Sequence, residues 1–208
     1  RRLVTSGVVD VVSTAAPGID DLLVLGKIKQ IERTGAYDFI VVDGPAAGHA
    51  ITLLTAAAGM LDAVPSGPIH TQANDVLEML RDPERCQVIL VTIPEETPVN
   101  ETIETAFALE DRVGVQLAPL VVYALDTAGS AVPDPDTVDL GAEPESMALA
   151  QAAHFRRERA NDQMRQIERL ARALPLEQVH LPAIFATGLT SADINTLVTV
   201  LENTEGAL

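Results

Sequence analysis

Short apolar runs rich in β-branched residues alternate along this chain with longer helical patterns, and that alternation leaves few folds open. It is the rhythm of a mostly parallel sheet wrapped by helices on both faces, a doubly wound α/β architecture. Four runs read as strands, over residues 38–43, 87–93, 118–124 and 178–184. Each is apolar nearly throughout, as expected of strands covered on both sides. Helical patterns fall at 19–33, 51–61, 71–81, 98–112, 146–174 and 192–201. Their starts are marked by Thr97 before Pro98, a first-turn proline, and by Thr190-Ser191-Ala192-Asp193, which has the form of a capping box. The stretch 126–144 holds Pro133, Pro135 and Pro144 among Asp and Gly and is expected to be an exposed loop. With no internal repeat and no second-domain boundary, residues 1–208 are read as a single domain.

The core of such a domain has to be aliphatic, because 47% of the residues are hydrophobic but only 3% are aromatic. A formal charge of -16 repels polyanions, so no nucleic-acid partner is expected; that binding needs clustered Lys and Arg. Cys86 stands alone, which excludes an intrachain disulfide and fits a reducing compartment. Apolar stretches stop short of the roughly 20 residues of a membrane span, and Arg1-Arg2-Leu3 leads into no signal-like block. A cytoplasmic protein is expected.

A parallel sheet binds ligands at the carboxyl ends of its strands. The residues there are Asp43, Pro94 to Glu96, Tyr123 to Asp126, and Phe185 onward. Of these, Asp43 ends the run Tyr37-Asp38-Phe39-Ile40-Val41-Val42-Asp43 and is followed by Gly44-Pro45. A strand-end carboxylate before a glycine turn suits a magnesium organiser that holds the metal through water. It also suits a turn or helix-capping Asp, the commoner use of such a residue, and the pattern by itself leaves both readings open.

Asp43-Gly44-Pro45-Ala46-Ala47-Gly48-His49, with Leu53-Leu54 after it, resembles the Asp-Thr-Ala-Pro-Thr-Gly-His signature of the ArsA-like ATPases. This family contains arsenite-pump ATPases and ATPases that target tail-anchored membrane proteins. The Asp and the Gly-His pair match in register, whereas Gly44-Pro45-Ala46-Ala47 replaces Thr-Ala-Pro-Thr. Val91-Thr92-Ile93-Pro94-Glu95-Glu96, continuing to Glu101-Thr102, looks like the family's strand-Pro-Glu segment. Ala16-Pro17-Gly18 to Leu25-Gly26-Lys27-Ile28-Lys29 looks like the helix that precedes the Asp strand in bacterial members.

The resemblance implies a P-loop NTPase fold with Mg2+ and ATP as ligands. Asp43 would organise the metal through water, and Gly48 and His49 would belong to switch II, which senses the γ-phosphate. Glu95 or Glu96 would line the nucleotide or dimer side. Pro182, Ala183 and Phe185 belong to a segment, Leu181-Pro182-Ala183-Ile184-Phe185, that resembles the family's Leu-Pro border of adenine, without its usual downstream acidic pair. Tyr123 stands where members commonly carry an adenine-reading Asn, and it either stacks on the base or packs.

The other half of the site is not in these residues. A phosphate loop needs Gly-x-x-x-x-Gly-Lys-Ser/Thr. Around Gly26-Lys27 the required Gly and hydroxyl are instead Asp21 and Ile28, within a helical pattern. The fold is therefore expected to be incomplete at its N-terminus, the C-terminal portion of an ATPase domain. No residue of this chain is assigned a catalytic role, and hydrolysis is not expected from it alone. A homo- or hetero-dimer with a related ATPase subunit is implied, with the protein cargo or membrane partner unidentified. The alternative is a non-catalytic partner subunit; a partition or septum-positioning relative is a third reading, for which no membrane or DNA-binding surface is evident.

Three further features have plainer readings. His70, His154 and His180 lack metal-ligand spacing, and the lone cysteine provides neither a multi-thiol arsenite site nor a Cys-x-x-Cys zinc site. The six arginines of 146–174 form either a docking face or the solvated side of a helix whose buried stripe is Met164, Ile167, Leu170 and Leu174. The Met-containing stretch 56–79 is either variable cargo surface or core.

Overall fold

A computed structural model describes residues 18–138, 141 and 143–203. Ala16 and Pro17 of the family-like stretch and parts of the 126–144 loop lie outside the described residues. In chain order the elements are α1 (Ile19–Glu32), α2 (Ala47–Ala63), α3 (Pro68–Arg81), β1 (Gln87–Val88), β2 (Val91–Thr92), α4 (Glu96–Arg112), β3 (Gln116–Leu117), β4 (Leu120–Leu125), α5 (Pro144–Ala173), β5 (Gln178–Pro182) and α6 (Ser191–Asn203). Every pairing among these strands is parallel. The chain divides into two compact units, Arg1–Val88 with Glu104–Leu117, and Ile89–Ile103 with Ala118–Leu208.

In the first unit α1, α2 and α3 pack on one another through an aliphatic core that includes Leu22, Leu25, Ala57, Met60, Val76, Met79 and Leu80. Met60 and Met79 are thus core residues. Lys29 of α1 is buried, and its charge is met by Asp75 at 3.0 Å and by the Gln72 amide oxygen at 3.0 Å. The ammonium holds the Asp75 carboxyl below its ordinary range. Gly26 sits inside α1 with the Gln72 side chain against it, so Gly26-Lys27 is helix packing and not a phosphate loop. β1 and β3 form a two-stranded ladder in this unit.

In the second unit the sheet order is β2-β4-β5. Val121, Val179 and Leu181 form its core, joined by Tyr123 and by Leu197, Val200 and Leu201 of α6. The capping box at α6 is made as expected: Thr190 N–H donates to Asp193 Oδ2 at 2.8 Å, and Asp193 N–H donates to Thr190 Oγ1 at 3.4 Å. The expected strand at 87–93 is split into β1 and β2, and the one at 118–124 is found as β4, starting at Leu120 after Pro119, which has no N–H to carry the ladder back into β3.

Two expectations are corrected. Residues 38–43 form no strand: the segment from 36 to 46 is irregular, with Tyr37, Phe39 and Val41 exposed to 66, 76 and 79%. A strand exists only through its neighbour's backbone, and among the described residues no backbone group bonds to 37–45. The buried stripe of α5 is Ala160, Gln163, Ile167 and Leu170, continued by Leu174, while Met164 faces outward. The stretch 126–144 contains two short 3-10 turns, Gly129–Ala131 and Pro135–Thr137, in which Gly129 and Pro135 are buried.

Candidate functional site

A cavity of about 520 Å³ opens at the carboxyl ends of β4 and β5, wholly within the second unit. Its volume lies in the roughly 300–1,000 Å³ range of small-molecule sites. Tyr123, Ala124 and Asp126 reach it from the end of β4; Ala183, Ile184 and Phe185 reach it from the chain leaving β5. Helix α5 closes it with Phe155, Arg156, Arg159 and Gln163. The two strand ends are joined by Ala183 N–H, which donates to the Leu125 carbonyl at 2.9 Å.

The charges are arranged in pairs. Arg156 donates through Nε to Asp126 Oδ2 at 2.7 Å and through Nη2 to Oδ1 at 2.9 Å, a two-pronged contact. Asp126 is nearly buried, and the guanidinium holds its carboxyl below the usual range despite the opposing effect of burial. The same guanidinium lies 5.6 Å from the centroid of the Phe185 ring, within cation–π range. Arg159 reaches Glu95 at 3.4 Å. What remains for a ligand is three aromatic side chains, Tyr123, Phe155 and Phe185, beside a guanidinium edge that is already paired with carboxylate. That surface suits a planar, polar ring better than a second carboxylate.

Of the residues expected to bind nucleotide, Tyr123, Ala183 and Phe185 meet in this cavity. Tyr123 also packs on Val121, Val179 and Leu181, so the two roles left open for it are compatible. Pro182 ends β5 immediately before the cavity-lining residues. Glu95 joins the cavity's surroundings through Arg159, and the Glu96 carbonyl accepts from Arg169. Asp43, Gly48 and His49 lie in the first unit, all exposed: Asp43 in the irregular segment, Gly48 and His49 in the first turn of α2. Their local geometry is a helix start, in which His49 and Ala50 N–H both donate to the Ala46 carbonyl.

Gln163 and the Arg156–Asp126 pair were not singled out from sequence. The signal was present: Arg156, Ala160, Gln163 and Ile167 recur at helical spacing, so a polar pair shares the stripe that faces inward. The arginines of α5 are not an open basic face among the described residues. Arg156, Arg159 and Arg165 have acidic partners; Arg157 pairs with Asp134 and donates to the Val132 carbonyl; Arg169 meets Asn100, and Arg172 the Glu168 carbonyl. The described trio with metal-ligand spacing, Asp134, Asp136 and His154, excludes Asp43 and already contains the Arg157 contact to Asp134 at 3.7 Å. No described helix is long and apolar enough to cross a membrane.

Comparison with known proteins agrees with the resemblance. Residues 2–65 match the ArsA_ATPase family, described as anion-transporting ATPases. ATPase BagA of Mycobacterium tuberculosis is 33% identical over 123 residues, which is 56% of this chain and 35% of that protein. The arsenical pump-driving ATPase of Escherichia coli is 30% identical over 110 residues, 48% of this chain and 17% of that protein. The alignment thus spans about a third of the mycobacterial relative's length.

Proposed function

We propose, because this chain belongs to the ArsA-like ATPase family, that its second-unit cavity receives the adenine of ATP and that Asp43 to His49 act as the magnesium and γ-phosphate switch. The observation that supports this most directly is convergence. Tyr123, Ala183 and Phe185, chosen at the ends of two different strands, line one cavity where a parallel sheet presents its ligands.

The base end suits the group: Tyr123 and Phe185 provide ring faces, and Arg156 a cation beside them. The magnesium end asks for little from the protein, since Mg2+ keeps several waters and takes its other ligands from phosphate oxygens. One exposed carboxylate, Asp43, meets that demand through water. These 208 residues contain no Gly-x-x-x-x-Gly-Lys-Ser/Thr run to cradle the phosphates. Bound Mg-ATP would supply a γ-phosphate whose presence orders loops and whose loss releases them. The chain's own part is then to seat the base, to hold a metal-bound water at Asp43, and to let Gly48 and His49 follow the phosphate. Pairing with a second ATPase subunit in the cytoplasm belongs to the same proposal, and light scattering of the intact protein tests it.

The lack of a lysine loop in these residues also favours a second reading, a non-catalytic partner subunit. A Gly-Lys-Gly-Gly-x-Gly-Lys-Ser/Thr segment encoded ahead of residue 1 in the reading frame supports the ATPase; a complete frame without one supports the silent partner. For the cavity, the test is titration of the isotope-labelled 208-residue chain with adenosine by NMR. Shifts centred on Tyr123, Ala183 and Phe185, with no hydrolysis of Mg-ATP, are expected. Shifts confined to other residues, or none at millimolar adenosine, overturn the assignment.

A further inference from the structure

The end of β4 bends against the preference of its own sequence. Between the pairs Val122↔His180 and Leu125↔Pro182, β4 carries one residue more than β5. Inside that bulge Ala124 takes φ 63°, the left-handed region that a residue with a Cβ seldom enters. Bulges re-aim the side chains around them. Here Tyr123, Ala124 and Asp126, which flank the bend, all line the cavity.

A left-handed alanine persists only where its surroundings hold it. Gln163 of α5, 2% exposed, supplies that hold. Its Nε2 donates to the Ala124 carbonyl at 3.1 Å, and its Oε1 accepts from the Asp126 N–H at 2.9 Å. One rigid amide thus spans Leu125 and fixes both sides of the bend. The two hydrogen bonds also account for a buried polar side chain on a stripe otherwise formed by Ala160, Ile167 and Leu170. Packing by itself would select an apolar residue there, because an unpaired buried amide is costly.

We propose that Gln163 is a positioning residue for the cavity: its amide locks the left-handed bend at Ala124 and thereby sets where Tyr123 and the Asp126–Arg156 pair stand toward a bound base. The proposal rests on the base-binding reading of the cavity. Gln163 acts through backbone, by choosing the conformation in which the strand end is presented.

The test uses the 208-residue chain with two readouts, amide hydrogen exchange and adenosine affinity. In Gln163→Leu, exchange at Asp126 should accelerate roughly tenfold or more, as expected for loss of a buried hydrogen bond, while Val121 and Val179 keep their protection. Adenosine should bind roughly tenfold more weakly, because the bend is no longer held. Adding Ala124→Gly, which enters the left-handed region without strain, should restore part of that affinity. If Gln163→Leu fails to fold, Gln163→Glu serves: it keeps the acceptor for Asp126 and loses the donor to Ala124, so Asp126 stays protected while adenosine weakens. Unchanged exchange and affinity in a folded variant overturn the proposal. So does a uniform loss of protection across β4 and β5, which marks a packing role. If the wild-type chain does not bind adenosine, the base-binding reading falls, while exchange at Asp126 still decides whether Gln163 holds the bend.

Discussion

Arg156 grips Asp126 with two hydrogen bonds, at 2.7 and 2.9 Å, and the pair ties helix α5 to the end of strand β4. Asp126 also accepts from Ala128 N–H at 3.2 Å, so its carboxylate is used by the fold and is not available to a ligand. The cavity's cationic edge is therefore already balanced. A neutral ring suits it.

That pairing makes stability depend on pH in a defined direction. Asp126 has a folded pKa below its unfolded value, because Arg156 favours the ionised form. Its contribution is then fully present above the unfolded value, about 3.9, and is lost as pH falls through the folded one. Arg156→Ala should lower Tm by about 2–4 °C at pH 7. The gap to wild type should shrink below about pH 4. Thermal melts followed by circular dichroism at pH 7, 5 and 3 check this, and an undiminished gap at pH 3 would contradict it.

Phe185 separates binding from folding more cleanly than Tyr123 does. It is 77% exposed, whereas Tyr123 also packs on the β-sheet core. Base–aromatic stacking contributes about 1–3 kcal/mol, so Phe185→Ala should weaken adenosine about tenfold and leave Tm within a degree or two. Calorimetric titration beside a thermal melt measures both. Full-strength binding by the variant would remove the ring from the site.

At the start of α6, Thr190 and Asp193 satisfy each other's backbone, which places a prediction outside the cavity. Thr190→Ala removes the cap at a cost of about 1 kcal/mol. It also removes the hydroxyl hydrogen bond at 2.7 Å, the larger of the two that hold the Asp193 carboxyl below its ordinary range, and leaves the backbone N–H bond in place. Faster amide exchange in the first turn of α6, with β5 unaffected, is the expected signature. The cap's share should be present at neutral pH and fade in acid, since a depressed carboxylate pKa gives stability that is lost as pH falls.

The helices were legible because their ends and faces are written locally. The Thr190 to Asp193 box opens α6 where it was read, whereas Pro68 and Pro144, the latter read as part of a loop, open two helices two or three residues before their expected starts. The strands were legible as apolar runs, but their pairing was not, because pairing depends on a neighbour that the run does not encode. Tyr37 to Asp43 has the composition of a buried strand and none of the described partners of one. The cavity's aromatic residues were found through their place at strand ends. Gln163 was missed because a periodicity count credits apolar residues, and its placement follows from a backbone bend at Ala124 that no local pattern announces.

Asp43 gives the sharpest separation between structure and chemistry. It is exposed, it sits in a segment without regular structure, and among the described residues no side-chain hydrogen bond or ion pair engages its carboxylate. Replacing it by Asn changes one oxygen for an amide and removes nothing that the described fold uses. Tm of the 208-residue chain should therefore stay within about a degree of wild type, since surface changes of this kind are small. On the proposed reading, in a form that carries a phosphate loop the same change would withdraw the acceptor for a magnesium-bound water. Loss of such an outer contact typically costs about 10–100-fold in metal affinity or activity. ATP hydrolysis measured against magnesium concentration should fall by that order, with partial recovery at high magnesium. Wild-type turnover at every magnesium concentration would show that Asp43 only shapes the turn before α2.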